Sequence, residues 1–251
     1  MKSFYLLLVL VLFMFCSSAV AKENELKIYC GSTMYKAMME IKVNFEKTHD
    51  CKVNIVPGAS GDLKMMLMNF KDGDMYFPGD DSFIASLEKE NPGYVVCKKH
   101  VGNNRAVLIV KKGNPKKINS LDDLTRSDLK IVLGHPERGS IGKLTSVLLK
   151  KKGIFEKIMQ KEKTLETESI NLMNAMTKKD YDVTINWNTL ATLPDYSKDI
   201  DVLQIPESLD PSEKLILAVL KTSQNVDLAT ELMNYSASTE GKELFARYGL
   251  K

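Results

Sequence analysis

Residues 27–40 read KIYCGSTMYKAMME, and the change of pattern inside this stretch guides the interpretation of the whole chain. An apolar run typical of a buried strand stops at Gly31, and two hydroxyl residues, Ser32 and Thr33, follow it directly. A helical pattern begins at once, with apolar residues every three or four positions from Met34 onward. Because backbone N–H groups at a helix start attract anions, the two hydroxyl residues indicate either a helix cap or part of an anion site.

The same order of strand, loop and serine recurs along the chain. Ser60, Ser140 and Ser169 each follow a predicted strand or its short loop and open a predicted helix. Further strands are predicted at 105–110 and 183–187. Regular alternation of strands and helices with short connections predicts an α/β fold, in which mixed, mostly parallel sheets are covered by helices.

The serine-bearing helix starts are predicted to meet at one site. In open α/β sheets, ligands bind beyond the carboxyl ends of the strands, where the helix N-termini gather. Glycines beside the serines, in CGST, GASGDL and RGSIG, would let a ligand approach the backbone closely. Serine is also among the commonest helix caps, so capping without a ligand is the alternative at each position.

The first 21 residues predict export from the cytoplasm. Lys2 precedes an apolar stretch at 4–15, and residues 19–21 read AVA, which together are typical of a secretory signal peptide. The apolar stretch is too short to span a bilayer comfortably. We therefore expect a periplasmic protein that begins at Lys22 and does not insert into the membrane.

The charge balance argues against nucleic acid as a partner. The 251-residue chain contains 35 Lys and Arg against 32 Asp and Glu, a formal net charge of +3, and the predicted leader removes one lysine. A nucleic acid or an anionic membrane would favour a concentrated basic surface. A small ligand is the expectation that remains.

The sequence predicts neither a metal site nor a cofactor, and it does not predict an enzyme. The histidines are scattered, and the three cysteines of the mature chain fit no zinc spacing. The chain has no G-x-S-x-G motif, no phosphate-loop motif and no dinucleotide-binding motif. We therefore expect a binding protein.

Five motifs follow one another over nearly the whole mature chain. They are CGST at 30–33, PGASGDL at 57–63, GDMYFPGDDS at 73–82, VLGHPERGSIGK at 132–143 and GKELFARYGL at 241–250. This ordered set resembles the molybdate/tungstate-binding proteins of bacterial ABC importers. The resemblance implies the type II periplasmic binding protein fold, with two lobes, two crossover strands and a cleft that closes on a tetrahedral oxyanion.

The resemblance also assigns candidate ligand-binding residues by position. They are Ser32, Thr33, Ser60, Gly61, Ser140, Ile141, Ser169, Ile170, Asn186 and Trp187. Hydroxyls and backbone N–H groups from these residues would hold the oxyanion. The last two depart from the family pattern, which has a tyrosine there, although an amide can still donate a hydrogen bond.

Three charged residues in the same motifs leave the identity of the ligand open. Arg138, Lys143 and Asp80 are expected near the ligand without direct contact. A molybdate site usually avoids full charges, whereas phosphate or a phosphorylated organic acid would favour an arginine fork. The alternative is therefore an exported binding, sensing or host-interaction protein for such a ligand on the same fold.

The resemblance divides the chain into two lobes and implies a transport partner. Residues 22–105 and 215–251 are expected to form one lobe, and residues 106–214 the other. A receptor of this kind would hand its ligand to an ABC permease, and we expect it to act as a monomer.

Overall fold

The computed structural model describes residues 24–161 and 163–251, so the predicted signal peptide lies outside the described residues. This part of the chain contains nine strands. They are β1 (Glu25–Gly31), β2 (Lys52–Gly58), β3 (Met75–Phe77), β4 (Val95–Lys111), β5 (Val132–Gly134), β6 (Thr164–Glu166), β7 (Val183–Trp187), β8 (Ile200–Gln204) and β9 (Ser212–Leu220).

Ten α-helices alternate with these strands over the same residues. They are α1 (Tyr35–Glu46), α2 (Ser60–Phe70), α3 (Ser82–Glu90), α4 (Ser140–Lys151), α5 (Phe155–Met159), α6 (Ser169–Lys178), α7 (Asn188–Ala191), α8 (Pro194–Ser197), α9 (Val226–Ala237) and α10 (Thr239–Arg247). Short 3-10 helices occupy Ser32–Met34, Leu121–Thr125 and Glu207–Leu209. None of the described helices combines the length and the apolar character needed to cross a membrane.

The strands form a mixed sheet in the order β2-β1-β3-β9-β4-β7, to which β8 is added through β4, and a separate pair, β5-β6. The first half of β4 pairs with β9, and its second half pairs with β7 and β8. Every antiparallel pairing between the described strands involves β4 or β9. The pairings β1-β2, β1-β3 and β5-β6 are parallel, as the alternation of strands and helices predicts.

Strand β4 changes its partners near its middle, and buried apolar side chains form separate cores on the two sides of this point. One cluster contains residues between Ala106 and Ile205 only. The other clusters combine residues 26–101 with residues 215–250. We call the side with the second set lobe 1 and the side with the first set lobe 2. The proposed boundaries at 105/106 and 214/215 stay a prediction, because the single strand β4 pairs with strands on both sides.

The predicted helix starts at the four serines are confirmed. Ser60, Ser140 and Ser169 are the first residues of α2, α4 and α6, and Ser32 begins the 3-10 turn that leads into α1. The short elements β6, α5, α7 and α8 were not predicted. Three to five residues are too few to show a periodic pattern.

Two glycines let the start of α4 lie directly against β5. A Cβ on Gly134 would lie 2.6 Å from the backbone nitrogen of Gly142, and a Cβ on Gly142 would overlap the carbonyl group of His135. The second glycine of RGSIG therefore serves helix–strand packing, which places Ser140 at the end of the sheet.

Candidate functional site

A small cavity lies between the two lobes, where the helix starts meet. Lobe 1 contributes the turn before α1, the start of α2 and the loop after β3, and lobe 2 contributes the starts of α4 and α6. The cavity is lined by Gly31, Ser32, Thr33, Met34, Gly58, Ala59, Ser60, Gly79, Gly139, Ser140, Thr167, Glu168 and Ser169. Five of the residues singled out from the sequence are thus brought together, namely Ser32, Thr33, Ser60, Ser140 and Ser169.

The cavity is surrounded by hydrogen-bond donors that carry no full charge. The backbone N–H groups of Ser60, Ser140 and Ser169 donate to no backbone acceptor in the described part of the chain. The helix dipoles add partial positive charge at the same three points. None of the described residues that line the cavity is Lys, Arg or His. This arrangement suits a small anion held by neutral groups.

The Ser60 hydroxyl is fixed by contacts within lobe 1. Ser60 is 2% exposed, and its Oγ accepts a hydrogen bond from the Gly79 N–H at 3.0 Å. Its carbonyl oxygen accepts another from the Tyr76 hydroxyl at 2.7 Å. Because the Ser60 oxygen acts as an acceptor toward Gly79, the hydroxyl hydrogen remains available for a ligand.

Ser32 joins the two lobes across the cavity. Its hydroxyl donates to the Glu168 Oε2 at 2.6 Å, so a residue of the first turn reaches the residue before α6. Sequence reasoning missed Glu168, because a carboxylate is not a residue type expected in an anion site. Its position directly before Ser169 was the signal that could have found it.

Gly61, Ile141 and Ile170 are not among the described residues that line the cavity. The Gly61 N–H donates to the Arg138 carbonyl at 2.8 Å, so a contact between the lobes already uses this donor. The Ile141 side chain is fully buried in the core of lobe 2, which leaves its backbone N–H, the group expected to donate, as the part of this residue that could reach a ligand. Ile170 lines a neighbouring apolar pocket and does not line the cavity.

Asn186 and Trp187 lie in the core of lobe 2 instead of at the cleft. Both residues are 0% exposed. The Asn186 Nδ2 donates to the Ser169 carbonyl at 2.8 Å, and its Oδ1 accepts from the Trp187 N–H at 2.9 Å. Asn186 therefore positions the start of α6. Neither candidate ligand-binding residue is among the described residues that line the cavity.

Arg138 and Lys143 connect the lobes at the rim of the cavity. Arg138 forms a two-bond ion pair with Asp62, with both N–O distances at 2.8 Å. Lys143 donates to the Ser82 hydroxyl and lies 5.0 Å from the centre of the Phe83 ring. Neither cation lines the cavity. Because the Arg138–Asp62 pair is partly exposed, solvent screening leaves it only a weak contact between the lobes.

Asp80 belongs to an acidic cluster beside the crossover strands. Carboxylate oxygens of Asp80, Asp81 and Glu213 lie within 4.8 Å of one another. The Asp80 Oδ1 accepts from the Ser82 N–H at 2.9 Å, and its Oδ2 is buried without a hydrogen-bond partner in the described residues. Burial, reinforced by the charges of Asp80 and Asp81, raises the pKa of Glu213 to about 7. Burial also raises the pKa of Asp80.

Glu213→Gln is expected to stabilise the protein at pH 8 and to leave it unchanged at pH 4. The folded-state pKa of Glu213 lies above the value of about 4.3 for a free glutamate. The contribution of this group to stability is therefore complete below about pH 4.3 and is lost as pH rises through about 7. Solvent screening of this half-buried group limits the gain at pH 8 to about 1 kcal/mol. Thermal unfolding at both pH values measures it.

The exposed residue Glu243 provides a matched control for this substitution. Glu243→Gln removes the same charge from the surface and should leave the pH dependence of unfolding as it is in the wild type. Equal changes for the two variants would show that net charge, and not the environment of Glu213, sets the pH dependence.

A two-lobed α/β molecule with helix starts converging on an interlobe cavity has the architecture of a solute receptor. The comparison with protein families agrees with this class. The chain belongs to the family of bacterial extracellular solute-binding proteins, whose family model matches residues 26–251.

Individual relatives support the same fold. A Haemophilus influenzae protein, whose name describes it as a binding protein, is 23% identical over 250 residues, which cover 96% of this chain and 97% of the relative. The sulfate-binding protein SubI of Mycobacterium tuberculosis is 19% identical, with a TM-score of 0.75 over 90% of this chain and 86% of that one. The periplasmic molybdate-binding protein of Azotobacter vinelandii is 14% identical, with a TM-score of 0.74 over 90% and 98%. The predicted type II periplasmic binding protein fold is confirmed.

Proposed function

We propose that this protein captures a tetrahedral oxyanion between its two lobes and delivers it to an ABC permease. The observation that carries the proposal is the convergence of Ser32, Ser60, Ser140 and Ser169 on one cavity, whose wall contains no lysine, arginine or histidine among the residues that the structure describes. Neutral hydroxyl and N–H donors satisfy the oxygens of such an anion, and the helix dipoles favour its charge.

The ligand-binding residues follow from this arrangement. Ser60, Ser140 and Ser169 would donate from hydroxyl and backbone N–H groups, and Ser32 and Thr33 would close the cavity from the first turn. Molybdate or tungstate is the ligand class implied by the sequence resemblance. The proposal includes a monomeric receptor with lobe 1 formed by 22–105 and 215–251 and lobe 2 by 106–214.

A second candidate is a receptor for a phosphorylated organic acid. The observation that favours it is a larger pocket beside the cavity, which shares Ser32 and Thr33 with it. The aromatic and apolar side chains of Tyr35, Leu190 and Tyr196 line this pocket. An oxyanion in the cavity could therefore carry an organic group that extends between the lobes.

A thermal-shift screen tests the proposal. Molybdate, tungstate, sulfate and phosphate are compared with chloride at the same ionic strength. A bound ligand at 100 times its dissociation constant should add about 2.7 kcal/mol to the free energy of unfolding. We expect a saturable rise in Tm with at least one tetrahedral oxyanion and none with chloride. A protein that responds to none of the four oxyanions would contradict the proposal.

A further inference from the structure

Glu168 is an acidic side chain in the wall of a cavity that otherwise suits anions. It is the only Asp or Glu among the described residues that line the cavity. Among the described residues, the only hydrogen bond to the Glu168 carboxylate comes from the Ser32 hydroxyl at 2.6 Å. Asp62, in the first turn of α2, is paired with Arg138, whereas no described Lys or Arg lies within ion-pair distance of Glu168.

A carboxylate at this position restricts which anions can bind. An ionised carboxylate only accepts hydrogen bonds. A fully ionised oxyanion would place a second set of acceptor oxygens against it, with like charges facing each other in a partly desolvated site. An oxyanion that retains a hydroxyl group would instead donate a hydrogen bond from this group to the carboxylate. The resulting charge-assisted hydrogen bond is a strong one.

We propose that Glu168 selects tetrahedral oxyanions that carry a proton, of the hydrogen phosphate class, over fully ionised ones such as sulfate, molybdate and tungstate. This inference rests on the proposed function, narrows its substrate class, and departs from the molybdate or tungstate that the sequence resemblance implies. Ser32 orients the carboxylate across the cavity, while the donors at Ser60, Ser140 and Ser169 remain for the ionised oxygens of the ligand. Charge repulsion against the wrong anion then supplies the specificity.

Glu168→Gln tests the proposal because it keeps the size of the side chain and removes only its charge. The glutamine oxygen can still accept from Ser32 and from a phosphate hydroxyl, and its Nε2 can donate to an ionised oxygen. Calorimetry at pH 7 compares phosphate with sulfate and molybdate. We expect wild type to prefer phosphate, and we expect the ratio of phosphate to sulfate affinity to fall at least about tenfold in the variant.

Glu137→Gln is the matched control. Glu137 is an exposed glutamate in the loop before α4, on the same lobe, and it does not line the cavity. Its substitution removes the same charge from the vicinity of the cleft. We expect the ratio of phosphate to sulfate affinity in this variant to equal that of wild type. This result would show that Glu168 acts through direct contact with the ligand and not through the long-range electrostatic field of the lobe.

The protonation state of the ligand gives a second test. Inorganic phosphate keeps at least one proton throughout the neutral range, whereas a phosphate monoester loses its last proton with a pKa of about 6. Wild type should therefore bind methyl phosphate more than about tenfold less tightly at pH 8 than at pH 6, while its affinity for inorganic phosphate changes far less. In Glu168→Gln, the affinity for methyl phosphate should vary little between these pH values.

The outcomes are distinct. An unchanged ratio of phosphate to sulfate affinity in Glu168→Gln would overturn the proposal. An equal gain in affinity for every anion in Glu168→Gln would also overturn the proposal. It would indicate that the Glu168 carboxylate occupies the place of the ligand in the ligand-free protein. If neither protein binds any of the three anions, the proposed function itself fails. A fall in the ratio together with loss of the pH effect supports the selection by Glu168.

Discussion

Gly79→Ala is expected to weaken oxyanion binding by about 1–3 kcal/mol, or roughly 5- to 150-fold. A Cβ at this position would overlap the Oγ of Ser140 and lie 3.0 Å from its Cβ, across the gap between the lobes. Ser140 can relieve the overlap only by rotating its hydroxyl, and the remaining contact is relieved only if the lobes move apart. Either movement removes a donor from the ligand. Isothermal titration calorimetry measures the loss.

Two measurements separate this effect from general damage to the fold. Because the overlap lies between the lobes, the free energy of unfolding of ligand-free Gly79→Ala should stay within about 0.5 kcal/mol of wild type. The double variant Gly79→Ala/Ser140→Ala removes the overlapping oxygen and should bind only slightly more weakly than Ser140→Ala alone. If the two substitutions instead weaken binding additively, the clash between these residues is not the cause.

The part of the site that sequence could predict depends on secondary structure alone. Ser60, Ser140 and Ser169 open helices that follow strands or short loops, and the carboxyl ends of the strands gather such helix starts. Their convergence therefore follows from the α/β alternation. No detail of side-chain packing was needed for it, which is why this prediction agrees with the cavity in the structure.

The location of the Asn186 and Trp187 side chains could not be predicted in the same way. Every residue of β7 is buried, so hydrophobic patterning does not reveal which side chain faces the cleft. Asn186 satisfies its amide by hydrogen bonds to Ser169 and Trp187, and the indole is enclosed by the core of lobe 2. Carrying a cleft position over from a family is unreliable at a residue whose chemistry has changed.

Gly79 and Glu168 were missed for two different reasons. Gly79 matters because its lack of a side chain leaves space for Ser140, and this requirement exists only once the lobes are placed against each other. Glu168 carries a charge of the same sign as the expected ligand, and a carboxylate has no place in a pattern of neutral donors. Each of the two residues faces a residue of the other lobe that is distant from it in sequence.

Closure of the lobes depends on several weak contacts around the cavity. The Ser32–Glu168 hydrogen bond, the Gly61–Arg138 backbone bond and the Arg138–Asp62 ion pair all join lobe 1 to lobe 2. Each is individually weak, because solvent competes for its partners. A ligand that contacts both lobes would therefore shift the population toward the closed form by a large factor.

Ser60→Ala is expected to weaken both binding and folding, because the Ser60 hydroxyl serves two partners. In the liganded state, loss of its bond to a charged oxygen should cost about 1.5–3 kcal/mol of binding free energy, or roughly 10- to 150-fold in affinity. Without ligand, the buried Gly79 N–H loses the acceptor that it contacts at 3.0 Å. An unpaired buried donor costs about 1–3 kcal/mol of unfolding free energy.

Ser169→Ala provides the comparison that separates these two roles of Ser60. The Ser169 side chain also lines the cavity and is 8% exposed, and its carbonyl, not its hydroxyl, accepts the bond from Asn186. We therefore expect Ser169→Ala to weaken binding while the denaturant midpoint of the ligand-free protein stays near the wild-type value. Ser60→Ala should lower both. If Ser60→Ala lowered stability but bound every oxyanion as tightly as wild type, its hydroxyl would serve only Gly79, and the anion would have to lie nearer to α4 and α6.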